Sequence, residues 1–329
     1  MEVSARTVNE LYREMWWKIE TSGIQQISRN GPVISIPAPV IMSLTGPTQR
    51  ILTCPVRDAN PFFHIAEVVW MFAGSNDVTF PALFNSRYRE YADPGTDQVW
   101  GAYGHRWVHH WDIDQIKAVI DRLNLDRGDR QAVISMWDPL SDLLPDPHND
   151  RPCNTQILFR AYDEKGVLDM LVVNRSNDMV WGALGANVVH FTYLHELIAR
   201  SCNMQMGVYR VMTNNLHVYP NMPRFKDIML NGLHFRDKTT FPAYPLLHEG
   251  EFWTMLRKDC EAAVRLVLSK GDVERKVFST KWMQDVAGPM MSAYLVGPRN
   301  HVLRIELLQE CKDQGWRTAG REWLERRLK

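Results

Sequence analysis

The segment NPFFHIAEVVWMFAG, residues 60–74, decides how the rest of the chain is read. Asn60 supplies an N-cap, Pro61 a first-turn proline and Gly74 a C-terminal stop, so the sequence predicts a helix over 62–73. The segment is apolar almost all round, the composition of a helix buried on every side. Glu67 is its only acid, and at helical spacing it sits beside Phe63, Trp70 and Met71. A carboxylate in that company must be paired, hydrated or raised in pKa. Read by itself, the segment favours a structural ion pair, because structural networks perturb carboxylates too.

Outward from this helix, further helices are expected over 114–123, 188–201 and 251–269, and strands over 131–137, 156–162, 167–173 and 207–212. The polar run Asp163-Glu164-Lys165-Gly166 reads as the turn of a hairpin. Helices and strands mix without βαβ regularity, and neither a repeat nor a linker-like stretch divides the chain. The expected fold is therefore one α/β domain spanning 1–329 around a mixed, largely antiparallel sheet.

The 329 residues are 45% hydrophobic, enough for a large core. Lys+Arg and Asp+Glu both total 38, so no basic excess points to nucleic acid or an acidic membrane. Arg321, Arg326 and Arg327 alternate with Glu322 and Glu325, as on a solvated helix face. The five cysteines have no metal or disulfide spacing, and the scattered histidines, His109 and His110 included, have none with acids. Residues 1–20 carry charges throughout, and no run approaches the roughly 20 apolar residues that span a bilayer. A cytoplasmic, metal-free protein is expected.

Three more places invite chemistry. Arg151-Pro152-Cys153-Asn154 lies just before a strand, where a neighbouring cation favours the thiolate and proline marks an open rim. Arg175-Ser176-Asn177-Asp178 follows a strand and offers arginine, hydroxyl and amide donors to a phosphate. The glycines after it, Gly182 and Gly185, would let backbone approach a ligand, although they form neither a dinucleotide fingerprint nor a P-loop. His217 and Tyr219 alternate onto one side of an extended segment, where both can bond sugar hydroxyls. Singly, each of these features is also an ordinary buried thiol, polar turn or half-buried aromatic.

Their order along the chain resembles the thymidylate synthase superfamily, from about Arg29 to Tyr219. The segment around Glu67, Trp70 and Gly74 is similar to the family's glutamate helix. Tyr88-Arg89-Glu90-Tyr91-Ala92-Asp93 stands where the family has a folate-contacting tryptophan pair, here both tyrosine. Gly101-Ala102-Tyr103-Gly104-His105-Arg106-Trp107 matches the segment whose tyrosine assists proton removal. Pro152-Cys153 matches the nucleophile motif, with Asn154 in place of histidine. The resemblance implies phosphate contacts by Arg29, Arg175 and Ser176, and by Arg130 from the partner of a homodimer. Gln131 follows Arg130 where the family has a second arginine. It further implies nucleotide contacts by Asn177, sugar contacts by His217 and Tyr219, a folate contact by Asp178 beside Tyr88 and Tyr91, and base reading by Asn187. That last match needs one residue inserted between Gly182 and Asn187.

The implied activity is covalent catalysis at a pyrimidine nucleotide. Cys153 adds to C6, C5 takes a one-carbon unit from 5,10-methylenetetrahydrofolate, and Glu67 and Tyr103 handle protons. The two absent tryptophans, the changed histidine and a charged tail (Glu322 to Lys329) imply less exclusion of water. Hydroxymethylation is therefore expected over methylation. The run Gly-Ala-Asn-Val-Val-His-Phe favours CMP or dCMP as substrate, with His190 fixing the amide orientation of Asn187. The alternatives are thymidylate synthase, a dUMP hydroxymethylase, or a nucleotide-binding homologue without catalysis.

Overall fold

The computed structural model describes residues 1–144, 148–162, 166–235 and 240–328. Of the hairpin turn expected over 163–166, residues 163–165 lie outside them.

The chain opens with β1 (Glu2–Ala5) and α1 (Val8–Ser22), which Thr7 and Glu10 start with a reciprocal capping box. A hairpin follows, β2 (Ile24–Ser28) and β3 (Gly31–Ser35), then β4 (Val40–Leu44). Next come α2 (Pro61–Phe72), α3 (Thr79–Phe84), a 3-10 turn at Ser86–Tyr91, α4 (Tyr103–Val108) and α5 (Gln115–Leu125). The central strands are β5 (Val133–Ser135), β6 (Asn154–Tyr162), β7 (Val167–Asn174) and the two-residue β8 (Asn177–Asp178). A π-type turn, Met179–Ala186, runs into α6 (Asn187–Ser201), followed by β9 (Gln205–Thr213) and β10 (Leu216–Val218). The remainder is helical: α7 (Phe225–His234), α8 (Trp253–Lys270), α9 (Gly288–Leu295), α10 (His301–Gln309) and α11 (Gln314–Glu325).

The α/β class is as expected, but there are two sheets. Six strands run in the order β1-β4-β9-β7-β6-β5, and four in the order β2-β3-β10-β8. Parallel pairs β1–β4, β7–β9 and β8–β10 interrupt the antiparallel pattern, so both sheets are mixed. Asp169 is a buried acid in the middle of β7, beside the register shift between Leu168 and Met170. There its carboxylate accepts from Val208 N and Arg210 Nη1, both at 2.7 Å.

Helix α2 is the hub of the helical layer. Asn60 Oδ1 accepts from Phe62 N and Phe63 N, and all twelve residues are buried. It packs against α4, α6, α8, α9 and α11, which is why its sequence lacks a polar face. Arg326 and Arg327 lie beyond α11, and instead of an open helix face they bind Asp58 at 3.0 and 2.7 Å. Among the described residues, no helix is long and apolar enough to cross a membrane.

Candidate active site

The two sheets meet where β6 begins and β7 ends. Cys153 immediately precedes β6, Arg175 immediately follows β7, and Arg175 N donates to Cys153 O at 2.9 Å. The Arg175 guanidinium is tied back to the same rim, Nε to Pro152 O at 3.0 Å and Nη2 to Arg151 O at 3.1 Å. Asn154 is fully buried and donates to Val173 O (2.7 Å) and Asn174 Oδ1 (3.2 Å). In place of the histidine it is a strut between strands, beside the register shift that ends the ladder.

Burial pushes the Cys153 thiol above its ordinary pKa, against the pull of Arg175 and Arg29 and with a push from Asp150. This corrects the expectation of a resting thiolate: desolvation outweighs the cations. Arg29 occupies the two-residue turn between β2 and β3, exposed yet near enough for its charge to reach the sulfur.

Tyr103 opens α4, and its ring stacks on Phe191 of α6 at 5.7 Å. Burial and the neighbouring Cys153 raise its hydroxyl well above the usual phenol range, so it stays protonated. Arg106, one turn on and fully buried, makes a two-pronged bond to Asp142, each arm 2.7 Å, and a third bond to Met136 O. That fork pins α4 to the loop after β5.

Glu67 is paired, not isolated. Tyr88 Oη donates to Glu67 Oε1 at 2.8 Å, and His190 Nε2 stands 2.8 Å from Glu67 Oε2, at ion-pair distance but outside hydrogen-bond geometry. The hydroxyl of Tyr88, expected beside folate, is therefore committed to the acid. Its ring meets Trp70 and Tyr91 edge-on, both at 5.5 Å, and Tyr91 is the more exposed of the two tyrosines. His190 is likewise directed to Glu67 and does not orient Asn187. Asn177 does that: Asn187 Nδ2 donates to Asn177 Oδ1 at 3.3 Å.

The glycine segment serves this arrangement. A Cβ on Gly182 would stand 2.3 Å from Asn177 Oδ1, so the glycine makes room for the asparagine that holds Asn187, and not for backbone approach to a ligand. The segment before Asn187 forms the π-type turn, with Gly185 at non-helical angles (φ −103, ψ −105). Asp178 caps that turn, its Oδ1 accepting from Val180 N at 2.7 Å and Trp181 N at 2.8 Å. Asp178 Oδ2 is buried without a partner among the described residues, and burial raises the carboxyl. Arg57, which the sequence did not single out, is buried behind it with Nε on Val180 O at 3.0 Å and its guanidinium 4.0 Å over Trp181.

β10 pairs with β8, setting His217 opposite Asp178. His217 Nδ1 lies 3.1 Å from Asn215 Oδ1, which leaves Nε2 for a ligand, and its ring meets Tyr219 edge-on at 5.1 Å. Ser176 is half-buried between Arg175 and Asn177. Thus Cys153, Arg175, Ser176, Asn177, Asp178, Asn187, His217, Tyr219, Glu67, Tyr88, Tyr91, Tyr103 and Arg29 converge on one junction. Arg130 does not join it. It is exposed between α5 and β5 and, among the described residues, makes no hydrogen bond or ion pair with the cluster. Neighbouring Gln131 accepts from Arg122 at 2.7 Å. Among the described residues no group of histidines, cysteines and acids could hold a metal.

Residues 10–282 match the family model described as thymidylate synthase. The chain is 36% identical to the deoxyuridylate hydroxymethyltransferase of Pseudomonas phage M6, over 99% of this chain and 94% of that protein. It is 34% identical to the deoxyuridylate hydroxymethyltransferase of Bacillus phage SP01 over 55% of this chain and 49% of that protein. It is 29% identical to the thymidylate synthase of Enterobacteria phage T4 over 48% of this chain and 58% of that protein.

Proposed function

This chain belongs to the thymidylate synthase family and is a one-carbon transferase, and from that premise we propose that it hydroxymethylates C5 of dUMP. The observation that carries the reading is the likeness, over nearly the whole of both chains, to the M6 protein, whose name gives both the nucleotide and the group transferred. The cytidine nucleotide expected from sequence has no such support. Uracil also suits the amide: with one Asn187 N–H given to Asn177, the other N–H remains for O4 and Oδ1 for N3–H. We read residues 1–329 as one catalytic domain.

Folate fits the residues present. The orphaned Asp178 Oδ2 is an acceptor awaiting a ring N–H donor, and Tyr91 offers an accessible aromatic face. When bound, 5,10-methylenetetrahydrofolate supplies the one-carbon unit. Arg175, with Nη1 not engaged in the rim, holds the nucleotide phosphate together with Arg29 and Ser176. His217 Nε2 and Tyr219 hold the sugar.

Burial keeps the resting Cys153 thiol protonated, so its proton passes to solvent water as the sulfur bonds to C6. Addition at C6 makes C5 an enolate-like nucleophile, which splits one difficult substitution into easier steps. Glu67, set by Tyr88 and His190, exchanges protons with the base, and the C5 proton passes to a water molecule that the neutral Tyr103 hydroxyl orients. Water then adds to the exocyclic methylene, and expulsion of Cys153 restores the C5–C6 double bond.

The test is product mass spectrometry after incubating CMP, dCMP, UMP and dUMP separately with methylenetetrahydrofolate. The expected result is 5-hydroxymethyl-dUMP from dUMP, oxygen from labelled water, and no near-ultraviolet rise from dihydrofolate. Methylated, unlabelled product with stoichiometric dihydrofolate would make the enzyme a synthase instead.

A further inference from the structure

The mechanism above leaves one acid beside the junction unused. Asp150 stands three residues before Cys153 and is half-buried. Its Oδ2 packs directly over Gly101, where a Cβ would lie only 2.3 Å away, in the segment that leads into Tyr103. Asp150 therefore bridges the nucleophile strand and the tyrosine helix. Its charge is felt by Cys153, Tyr103, Tyr88 and Tyr91, the groups on the nucleotide and folate sides of the cleft. No described residue makes a hydrogen bond or ion pair with its side chain.

We propose that Asp150 is the general base for hydration: it takes a proton from the water that attacks the exocyclic methylene of the Cys153-bound nucleotide. The assignment rests on the hydroxymethyl reading of this site. In the step, the water oxygen bonds to the methylene carbon and one O–H bond breaks, its proton passing to the Asp150 carboxylate. The π electrons of the methylene bond move onto C5 and the C4 carbonyl as an enolate. That enolate collapses to the C5–C6 double bond and expels the Cys153 thiolate, which recovers a proton from Asp150. No oxidant, reductant or further reactant is needed.

The electrostatics suit this task. Burial lifts the Asp150 carboxyl to about 6, with Asp93 adding to the rise, against the pull of Arg175, Arg106 and Arg29. At neutral pH such a group is ionised yet a far stronger base than an ordinary aspartate, the range in which general bases work best.

The experiment separates hydration from the earlier steps. With dUMP tritiated at C5 and methylenetetrahydrofolate, tritium release reports everything up to the methylene intermediate. Asp150→Asn should release tritium within about tenfold of the parent rate while 5-hydroxymethyl product falls roughly 100-fold or more. An added thiol should then capture the methylene as a thioether. Asp150→Ala, checked for folding by circular dichroism, should regain product when formate is supplied. Equal loss of both readouts in Asp150→Asn, undiminished hydroxymethyl product, or an Asp150→Ala enzyme indifferent to formate each overturns the assignment. A parent enzyme that makes dTMP and dihydrofolate fails the functional reading itself, and the two failures are distinguishable.

Discussion

At Cys153 two ordinary forces oppose one another, and their balance sets the resting state of the thiol. Arg175 and Arg29 stabilise a thiolate, while burial and Asp150 destabilise it, and burial wins. Mass-spectrometric alkylation with iodoacetamide should follow a pH midpoint above that of an ordinary exposed thiol, because only the thiolate reacts. Arg175→Ala should move the midpoint further up. Cys54, Cys202, Cys260 and Cys311 are all buried, so Cys153 should be labelled first. A midpoint near neutrality, or one that Arg175→Ala leaves in place, would show that the arginines outweigh desolvation. Glu67 belongs to the same scale: Tyr88 and His190 meet the need for partners that its apolar neighbours create.

Among elements, the contact between α2 and α4 fixes the distance from the Glu67 helix to Tyr103. Gly104 makes it possible, since a Cβ there would stand 2.1 Å from Met71 O and 2.4 Å from Met71 Cα. Neither is the end of a flexible side chain; both are backbone of a buried helix. Gly104→Ala should therefore push α4 away, costing roughly 1–3 kcal/mol in denaturant unfolding, and should slow C5 tritium release more than it weakens nucleotide binding. Unchanged unfolding and unchanged release would mean that α4 yields without carrying Tyr103 along. The π-type turn at Met179–Ala186 is a second local device: it starts α6 with Asn187 beside Asn177.

Across the whole molecule, the cleft draws on both sheets and on α2, α4 and α6, yet Arg130 stays on the surface away from it. That position suits the proposal that Arg130 completes the phosphate site of a second copy. Mixing Arg130→Ala with Cys153→Ser subunits should then restore up to about a quarter of parental activity, because one hybrid site keeps both residues. No recovery after demonstrated subunit exchange would confine the site to one chain. Core ion pairs bind the layers beneath: Arg50 Nη2 meets Glu196 Oε2 at 2.5 Å, both nearly inaccessible, and Glu196 also accepts from Leu246 N. Breaking one partner of such a pair leaves an uncompensated buried charge.

What the sequence determined by itself was whatever depends on local pattern and motif order. The α2 span and its caps, the strands around 156–162 and 167–173, and the grouping of Cys153, Arg175 and Asp178 at one junction were all legible, because periodicity, caps and short motifs act within a few residues. The two-sheet topology was not, since β8 has two residues and β10 three, too short to carry a pattern. Nor were the pairings Glu67–His190, Arg106–Asp142 and Arg57–Val180, each joining segments more than thirty residues apart. The protonation state of Cys153 was decided only by the tertiary structure. A nearby arginine can be read from spacing, but desolvation depends on what every other segment packs over the sulfur.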